Sequence, residues 1–310
     1  MYYINAITSI THQESFGNPG FSENLVENSP EGGLQLPDLK KYIEPTLIRR
    51  MSKILRMSVA AGEYCRQNNS NQEIEGIIIG TGLGCLGDTQ KFLERLIQIE
   101  GLLPPTSFIQ STHNTIAGQV SLSMKNNGYN TTYTQNTISF ELALQDAMLC
   151  LDEGMDCVLL GAADEEIPFL KEIADKFGLT NLYLTSGVTF LTLSKTKSEH
   201  TIAAISGLTI SYNPKEIDKT IEDFIIGQGL TYEDLDHVFY SEPFNGPESI
   251  SKKFTASSDI CTSVGMYPTN SAFAVHAAAD KIMATSAKHI LICNHLSTAH
   301  LGLTLVKPVK

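Results

Sequence analysis

Gln135, Asn136 and Thr137 stand where a helix is expected to begin, in the stretch Thr-Gln-Asn-Thr-Ile-Ser-Phe-Glu at 134–141. A helix N-terminus stabilises negative charge, so it can activate a thiol or hold an anion. Thr137 reads there as a cap or as a hydroxyl nucleophile, and capping is the simpler reading. His113 lies in Ser111-Thr112-His113-Asn114, His276 in an Ala-rich segment, and His295 and His300 flank a loop near the end of the chain. Histidine moves protons near neutral pH and also serves as an ordinary structural residue. The composition allows a Ser-His-Asp triad, but no G-x-S-x-G elbow occurs. Gly80-Thr81-Gly82-Leu83-Gly84 loosely resembles a dinucleotide loop. No helix is expected directly after it, and the last glycine of that motif is misplaced. The six cysteines, at 65, 85, 150, 157, 261 and 293, contain no C-x-x-C pair, so neither a metal site nor a cofactor is expected.

The elements that would position these residues read as follows. Residues 2–10 form a β-branched strand, and 11–40 an irregular excursion rich in Gly, Pro, Asn and Ser. A helix starts at Pro45, with Leu47, Met51, Ile54, Leu55, Val59 and Ala60 at helical spacing. Residues 75–79 are a short buried strand entering the glycine turn. Residues 89–100 are a helix with Phe92, Leu93, Leu96 and Ile97 on one face. The cap-like Ser-Thr-His-Asn precedes a helix over 115–125. A strand at 130–133, a helix at 139–151 and a buried strand at 156–160 follow, the last running into Gly161-Ala162-Ala163-Asp164-Glu165.

Beyond Tyr183, 187–193 and 203–210 read as adjacent strands joined by a polar hairpin. A helix at 215–227, a strand at 235–240, an Ala-rich helix at 270–285 and strands at 288–293 and 302–306 complete the chain. This alternation predicts an α/β protein with mixed sheets, and the similar order of elements in 1–182 and 183–310 predicts an internal duplication forming one compact unit.

The net charge of −12 on 310 residues argues against non-specific nucleic-acid binding. Arg49, Arg50, Lys53 and Arg56 make the one notable basic cluster, read as a solvated helix face or as a docking site. No apolar run approaches the ~20 residues of a membrane span. The first residues lack the features of a secretory signal, and Cys150, Cys157 and Cys293 lie in apolar runs. A cytoplasmic location is expected.

In their order along the chain, several segments resemble the β-ketoacyl synthase family of the thiolase-like fold. Residues 111–119 (STHNTIAGQ) resemble the family's Ser-Thr…Ala-Gly-His segment, and 156–164 the strand after the nucleophile helix. Residues 235–238 resemble the strand leading to the first catalytic histidine, 265–278 the segment around the second, and 294–303 the final Asn-x-Phe-Gly-type loop. The resemblance implies a thiolase-like duplicated α/β/α layered fold.

It also implies that catalytic groups are missing. The family places a cysteine at the head of the nucleophile helix, where this chain has Gln135, Asn136 and Thr137. A carboxamide cannot form a thioester. Decarboxylation in the family needs two hydrogen-bond donors, each worth ~10²–10³ in rate. Ser241 stands near the first of these positions, in FYSEPFNG, and Met266 near the second; methionine donates no hydrogen bond.

The resemblance therefore implies a non-catalytic, chain-length-factor-like subunit. It would pair with a cysteine-bearing ketosynthase, reach an acyl carrier protein through that complex, and act in type II polyketide, fatty-acid-like or pigment pathways of the aryl polyene or flexirubin type. Phe140, His113 and His295 would line the tunnel or pocket, and Thr131, Thr132 and Tyr133 would form the dimer seam, an edge strand completed by the partner. Two other readings stay open: an active acyltransferase or condensing enzyme using residues such as Ser241 or His295, and a stand-alone acyl-binding scaffold.

Overall fold

The computed structural model describes residues 1–29, 32–70, 72–98, 104–179, 183–242, 250 and 252–309. Among these, β1 (Tyr2–Ile10) is followed by α1 (Pro45–Ile48), α2 (Lys53–Gln67), β2 (Gly76–Gly80), α3 (Leu86–Gln98), α4 (Pro105–Gln110) and α5 (Thr115–Met124). Next come β3 (Tyr129–Tyr133), α6 (Ser139–Asp152), β4 (Cys157–Asp164), α7 (Pro168–Lys176) and β5 (Gly187–Ser194). The remainder holds β6 (Ala203–Tyr212), α8 (Ile217–Gly227), β7 (His237–Ser241), β8 (Ser257–Asp259), α9 (Ile260–Val264), α10 (Ser271–Ala284), β9 (Ile290–Asn294) and β10 (His300–Lys307).

The strands form one mixed sheet in the order β3-β2-β4-β5-β1-β6-β10-β9-β7-β8. That order is a palindrome of topology. Reading outward-in, β3-β2-β4-β5-β1 repeats as β8-β7-β9-β10-β6, with parallel and antiparallel pairings in corresponding places. The apolar run Gly76–Gly80 and the strand Cys157–Asp164 are buried along their whole length, as parallel strands covered on both faces must be.

Three cores explain the layering. Helices α6 and α10 share one core with residues of β4, β5, β9 and β10. Ala272, Ala274, Ala277, Ala278 and Ala279 on α10 are all fully buried, and their small side chains let this helix lie close to its neighbours. Helices α2 and α5 cover the other side of the first strands, and α8 covers that of the last. This gives the thiolase-like layered α/β arrangement.

Several expectations need correction. The helix from Pro45 is two helices, because Ser52 adopts an extended backbone (φ −67°, ψ 170°) and Met51 turns into the core. The third helix opens at Leu86, directly after the glycine turn and not at residue 89; the end expected at 99–100 lies outside the described residues. The expected hairpin between β5 and β6 does not form, because β1 lies between them and pairs antiparallel with both. The two sets of five strands meet at the 195–202 connection; the boundary expected at 182 lies outside the described residues. Asn114 precedes α5 but makes no side-chain cap, its Oδ1 accepting instead from Thr112 Oγ1 at 2.7 Å.

Candidate functional site

The turn between β3 and α6 is shaped by Asn136, whose backbone is left-handed (φ +51°), a conformation asparagine tolerates better than most side chains. A short 3₁₀ turn over Asn136–Ile138 then leads into α6. Ser139 ties the turn together. Its Oγ accepts from the Gln135 N–H at 2.8 Å and donates to the Asn136 carbonyl at 2.7 Å. Thr137 is not the cap expected of it. Gln135 and Asn136 are exposed, while Thr137 is buried, with its Oγ1 3.3 Å from His300 Nδ1.

Asn294, at the end of β9, joins this turn to the second half of the sheet. Its Nδ2 has three acceptors within reach: the Thr137 carbonyl at 2.7 Å, Glu141 Oε1 at 2.9 Å and Ser271 Oγ at 3.3 Å. An amide carries two hydrogens, so two of these are satisfied at a time. Glu141 is fully buried, its side chain packed over Gly302, where a Cβ would lie 2.8 Å from its Cγ and 3.0 Å from its carboxyl carbon. Burial raises its pKa, against the pull of hydrogen bonds from Asn294 and Ser271. Among the described residues its Oε2 has no hydrogen-bond partner.

A second centre forms around Asp164. Its Oδ1 accepts from Thr81 Oγ1, Gly82 N and Leu83 N, and its Oδ2 from Thr269 N and Oγ1, at 2.8–3.1 Å. The N–H groups of the glycine turn are thus directed at a carboxylate of the protein itself, which leaves the dinucleotide reading without its phosphate donors. Burial pushes Asp164 up to about 6, against the pull of these five donors.

The other expected site residues are dispersed. Ser241 is buried and donates to Asn270 Oδ1 at 3.2 Å, and Asn270 Nδ2 points at Cys261 Sγ at 3.3 Å. Burial pushes the Cys261 thiol up to about 12, although Asn270 and Ser241 pull it down. Residues 243–246 of the expected donor segment lie outside the described ones. Met266 is half-buried, and its backbone bridges to Tyr183 and Thr185. His295 is buried beside the first donor strand. Its N–H donates to the Ser241 carbonyl, and its Nδ1 lies 2.8 Å from the His300 carbonyl. His113 is exposed and sits over Gly84. Phe140 is fully buried in the core shared by α6 and α10. His276 is buried, with Nδ1 2.9 Å from Ser9 Oγ, and burial lowers its pKa to about 4.

Thr131, Thr132 and Tyr133 lie half-buried on β3, which among the described residues has a sheet neighbour on one side only. Near it, Asp146 of α6 accepts from Tyr129 Oη at 3.1 Å, and Leu149 follows on the same helix, exposed. The Asn294–Glu141 and Asp164–Thr269 links were not foreseen. For the second the signal was Asp164, the one acid of an otherwise apolar strand; Glu141 shares α6 with Asp146 and Asp152, and nothing in the sequence sets it apart. What the site can do chemically is limited: the turn heading α6 offers a hydroxyl against an imidazole, and no thiol.

Comparison with known proteins agrees with this architecture. A family description, the N-terminal domain of β-ketoacyl synthase, matches residues 26–204. A search of curated protein sequences found no match. Among solved structures, a type II PKS acyl-carrier protein in complex with its ketosynthase bound to the hexaketide is similar, with a TM-score of 0.77 at 15% identity over 99% of each chain. The ishigamide ketosynthase/chain length factor has a TM-score of 0.77 at 14% identity, covering 100% of this chain and 99% of that one. A ketosynthase in complex with its chain length factor from Xenorhabdus doucetiae has a TM-score of 0.61 at 16% identity, covering 99% and 98%. At such identities the likeness is one of fold.

Proposed function

The chain belongs to the β-ketoacyl synthase family, and within that family we propose that it is a non-catalytic, chain-length-factor-like subunit. It pairs with a cysteine-bearing ketosynthase and shapes the tunnel in which the acyl or polyketide chain grows. One observation carries this reading: the turn heading α6 presents two exposed carboxamides and a buried threonine where the family needs a thiolate. Ser241 and Met266, at the two donor positions, point the same way. Ser241 is turned to Asn270, and methionine has no hydrogen to donate.

The partner reading is supported by the open edge of β3 and by the exposed apolar side chains Leu93, Leu96, Ile97, Phe108, Leu122 and Leu149. Two of the similar structures are of a ketosynthase with a chain length factor. Thr131, Thr132 and Tyr133 then lie in the seam, and an acyl carrier protein is met through the complex. In this reading the two halves of the chain form one compact unit. None of the described helices is long and apolar enough to cross a membrane, and the pathway proposed, polyketide, fatty-acid-like or pigment synthesis, is cytoplasmic.

The Thr137–His300 contact favours a second reading, an acyltransferase with a hydroxyl nucleophile. Incubation with a radiolabelled acyl carrier protein separates the two. We expect no label on the isolated chain, co-purification with a cysteine-bearing ketosynthase, and label on that partner's cysteine. Label on the isolated chain that Thr137→Val abolishes would establish the second reading. A chain stable alone that captures no ketosynthase would point to the scaffold.

A further inference from the structure

Asp146 stands over the middle of an open strand edge. Residues i, i+2 and i+4 of a strand share one face, so Tyr129, Thr131 and Tyr133 of β3 lie on the side that α6 covers. The Tyr129 Oη donates to Asp146 Oδ2 at 3.1 Å. Partial burial, then the charge and hydrogen bond of Asp146, raise the pKa of Tyr133 as well. Four strand steps, roughly 13 Å, separate the two tyrosines. One carboxylate that serves both hydroxyls therefore sits above Thr131, at the centre of the strand.

The charge of Asp146 is unbalanced. β3 itself carries no charged residue. Helix α6 carries Glu141, Asp146 and Asp152 and no basic residue. Glu141 is buried, and Asp152 pairs with Lys195. Asp146 is half-buried, and among the described residues no cation pairs with it. A two-fold pairing of this edge with a second copy is isologous and antiparallel. Centred on Thr131, it sets neighbouring strands about 4.8 Å apart and turns the two Asp146 carboxylates towards each other across the axis. Like charges so placed oppose pairing, and charge beside an edge is a common block to self-association.

We propose that Asp146 makes the β3 edge reject a second copy of this chain and accept a partner that sets a lysine or arginine side chain over its own edge strand. The inference rests on the subunit reading and adds the chemistry by which that partner is chosen.

Sedimentation equilibrium of the full chain tests it without the partner. We expect wild type to self-associate at least tenfold more weakly than Asp146→Asn, which keeps an acceptor for the tyrosines and removes the charge. Asp146→Lys alone stays as weak as wild type, since two cations then meet. An equimolar mixture of wild type and Asp146→Lys associates at least tenfold more tightly than either alone. Salt at ~1 M, where the screening length falls to ~3 Å, narrows both differences. If Asp146→Lys does not fold, the comparison of Asp146→Asn with wild type, and its salt dependence, decide the matter. Self-association of Asp146→Asn no tighter than that of wild type overturns the proposal. So does a cysteine-bearing ketosynthase that co-purifies equally with wild type and folded Asp146→Lys, an outcome that leaves the subunit reading standing. Association of the mixture with no ketosynthase captured supports the charge selection and removes the subunit reading instead.

Discussion

Gly80 closes β2 against the backbone of α6. A Cβ built there lies 2.5 Å from the Ser139 carbonyl oxygen, 2.7 Å from its carbon and 2.8 Å from Phe140 Cα, where ordinary contact begins at 3.4 Å. No rotamer change relieves a clash with backbone, so Gly80→Ala must drive the first turn of α6 back by about 0.9 Å at its tightest point. Ile79 and Phe140 are fully buried on either side and leave little room for that retreat. Overpacking of a dense core costs ~1–3 kcal/mol, and the upper end applies because the opposing atoms are backbone. Stiffening the unfolded chain returns ~0.4–1 kcal/mol. The net loss is about 2 kcal/mol, which for a chain of this size lowers Tm by roughly 4 °C. Gly118→Ala in α5 is the matched control. Nothing lies within 4 Å of its Cβ, so the helix gains ~0.5–1 kcal/mol and Tm rises by ~1–2 °C. Scanning calorimetry of both variants reads this directly. If Gly80→Ala melts within ~1 °C of wild type, the turn heading α6 is not held by backbone contact and the reasoning fails.

Asp164 and His276 set opposing pH slopes. Asp164, raised from 3.8 to about 6, keeps its proton in the folded state across that window while the unfolded chain has lost it, so stability falls as pH rises. His276, lowered from 6.5 to about 4, binds its proton more readily when unfolded, so stability rises with pH. Urea titrations of Asp164→Asn between those limits should show a slope more positive than wild type by ~1.4 kcal/mol per pH unit; an unchanged slope would mean Asp164 titrates normally. Leu149→Glu, at a position 54% exposed, should leave the unfolding free energy within ~0.5 kcal/mol of wild type yet weaken co-purification with a ketosynthase at least tenfold; equal recovery of the complex would move the seam elsewhere. Thr137→Val should leave acyl loading of the partner's cysteine intact, as measured by radiolabel on the co-purified complex.

Much of the architecture could be read from the sequence because buried parallel strands announce themselves as apolar runs, as in Gly76–Gly80 and Cys157–Asp164. The Ala-rich helix α10 was equally legible. Long-range pairing was not. β5 and β6 are neighbours in sequence, and only tertiary structure inserts β1 between them. The break at Ser52 leaves no mark in the apolar pattern, because Met51 and Ile54 fit a helical spacing that continues across it. At the site, the positions of Gln135, Asn136 and Thr137 were legible, but which of them turns inward depends on the left-handed backbone of Asn136 and the grip of Ser139. Residue types do not encode that geometry. The roles of Glu141 and Asp164 were hidden for a similar reason: their partners, Asn294 and Thr269, lie in the other half of the chain.

The place of β1 in the middle of the sheet has a consequence for biosynthesis. It is the first strand of this sequence to leave the ribosome, yet its partners come much later: Tyr3 pairs with Ser194 and, on the other side, with Ala204. More than half of the chain is made before either edge of β1 is covered. Until then a strand buried along most of its length remains open to wrong pairing. Synthesis in the cell is therefore expected to depend on chaperones that hold the nascent chain, and a variant that slows translation between β1 and β5 should lower the yield of folded protein without altering its stability once made.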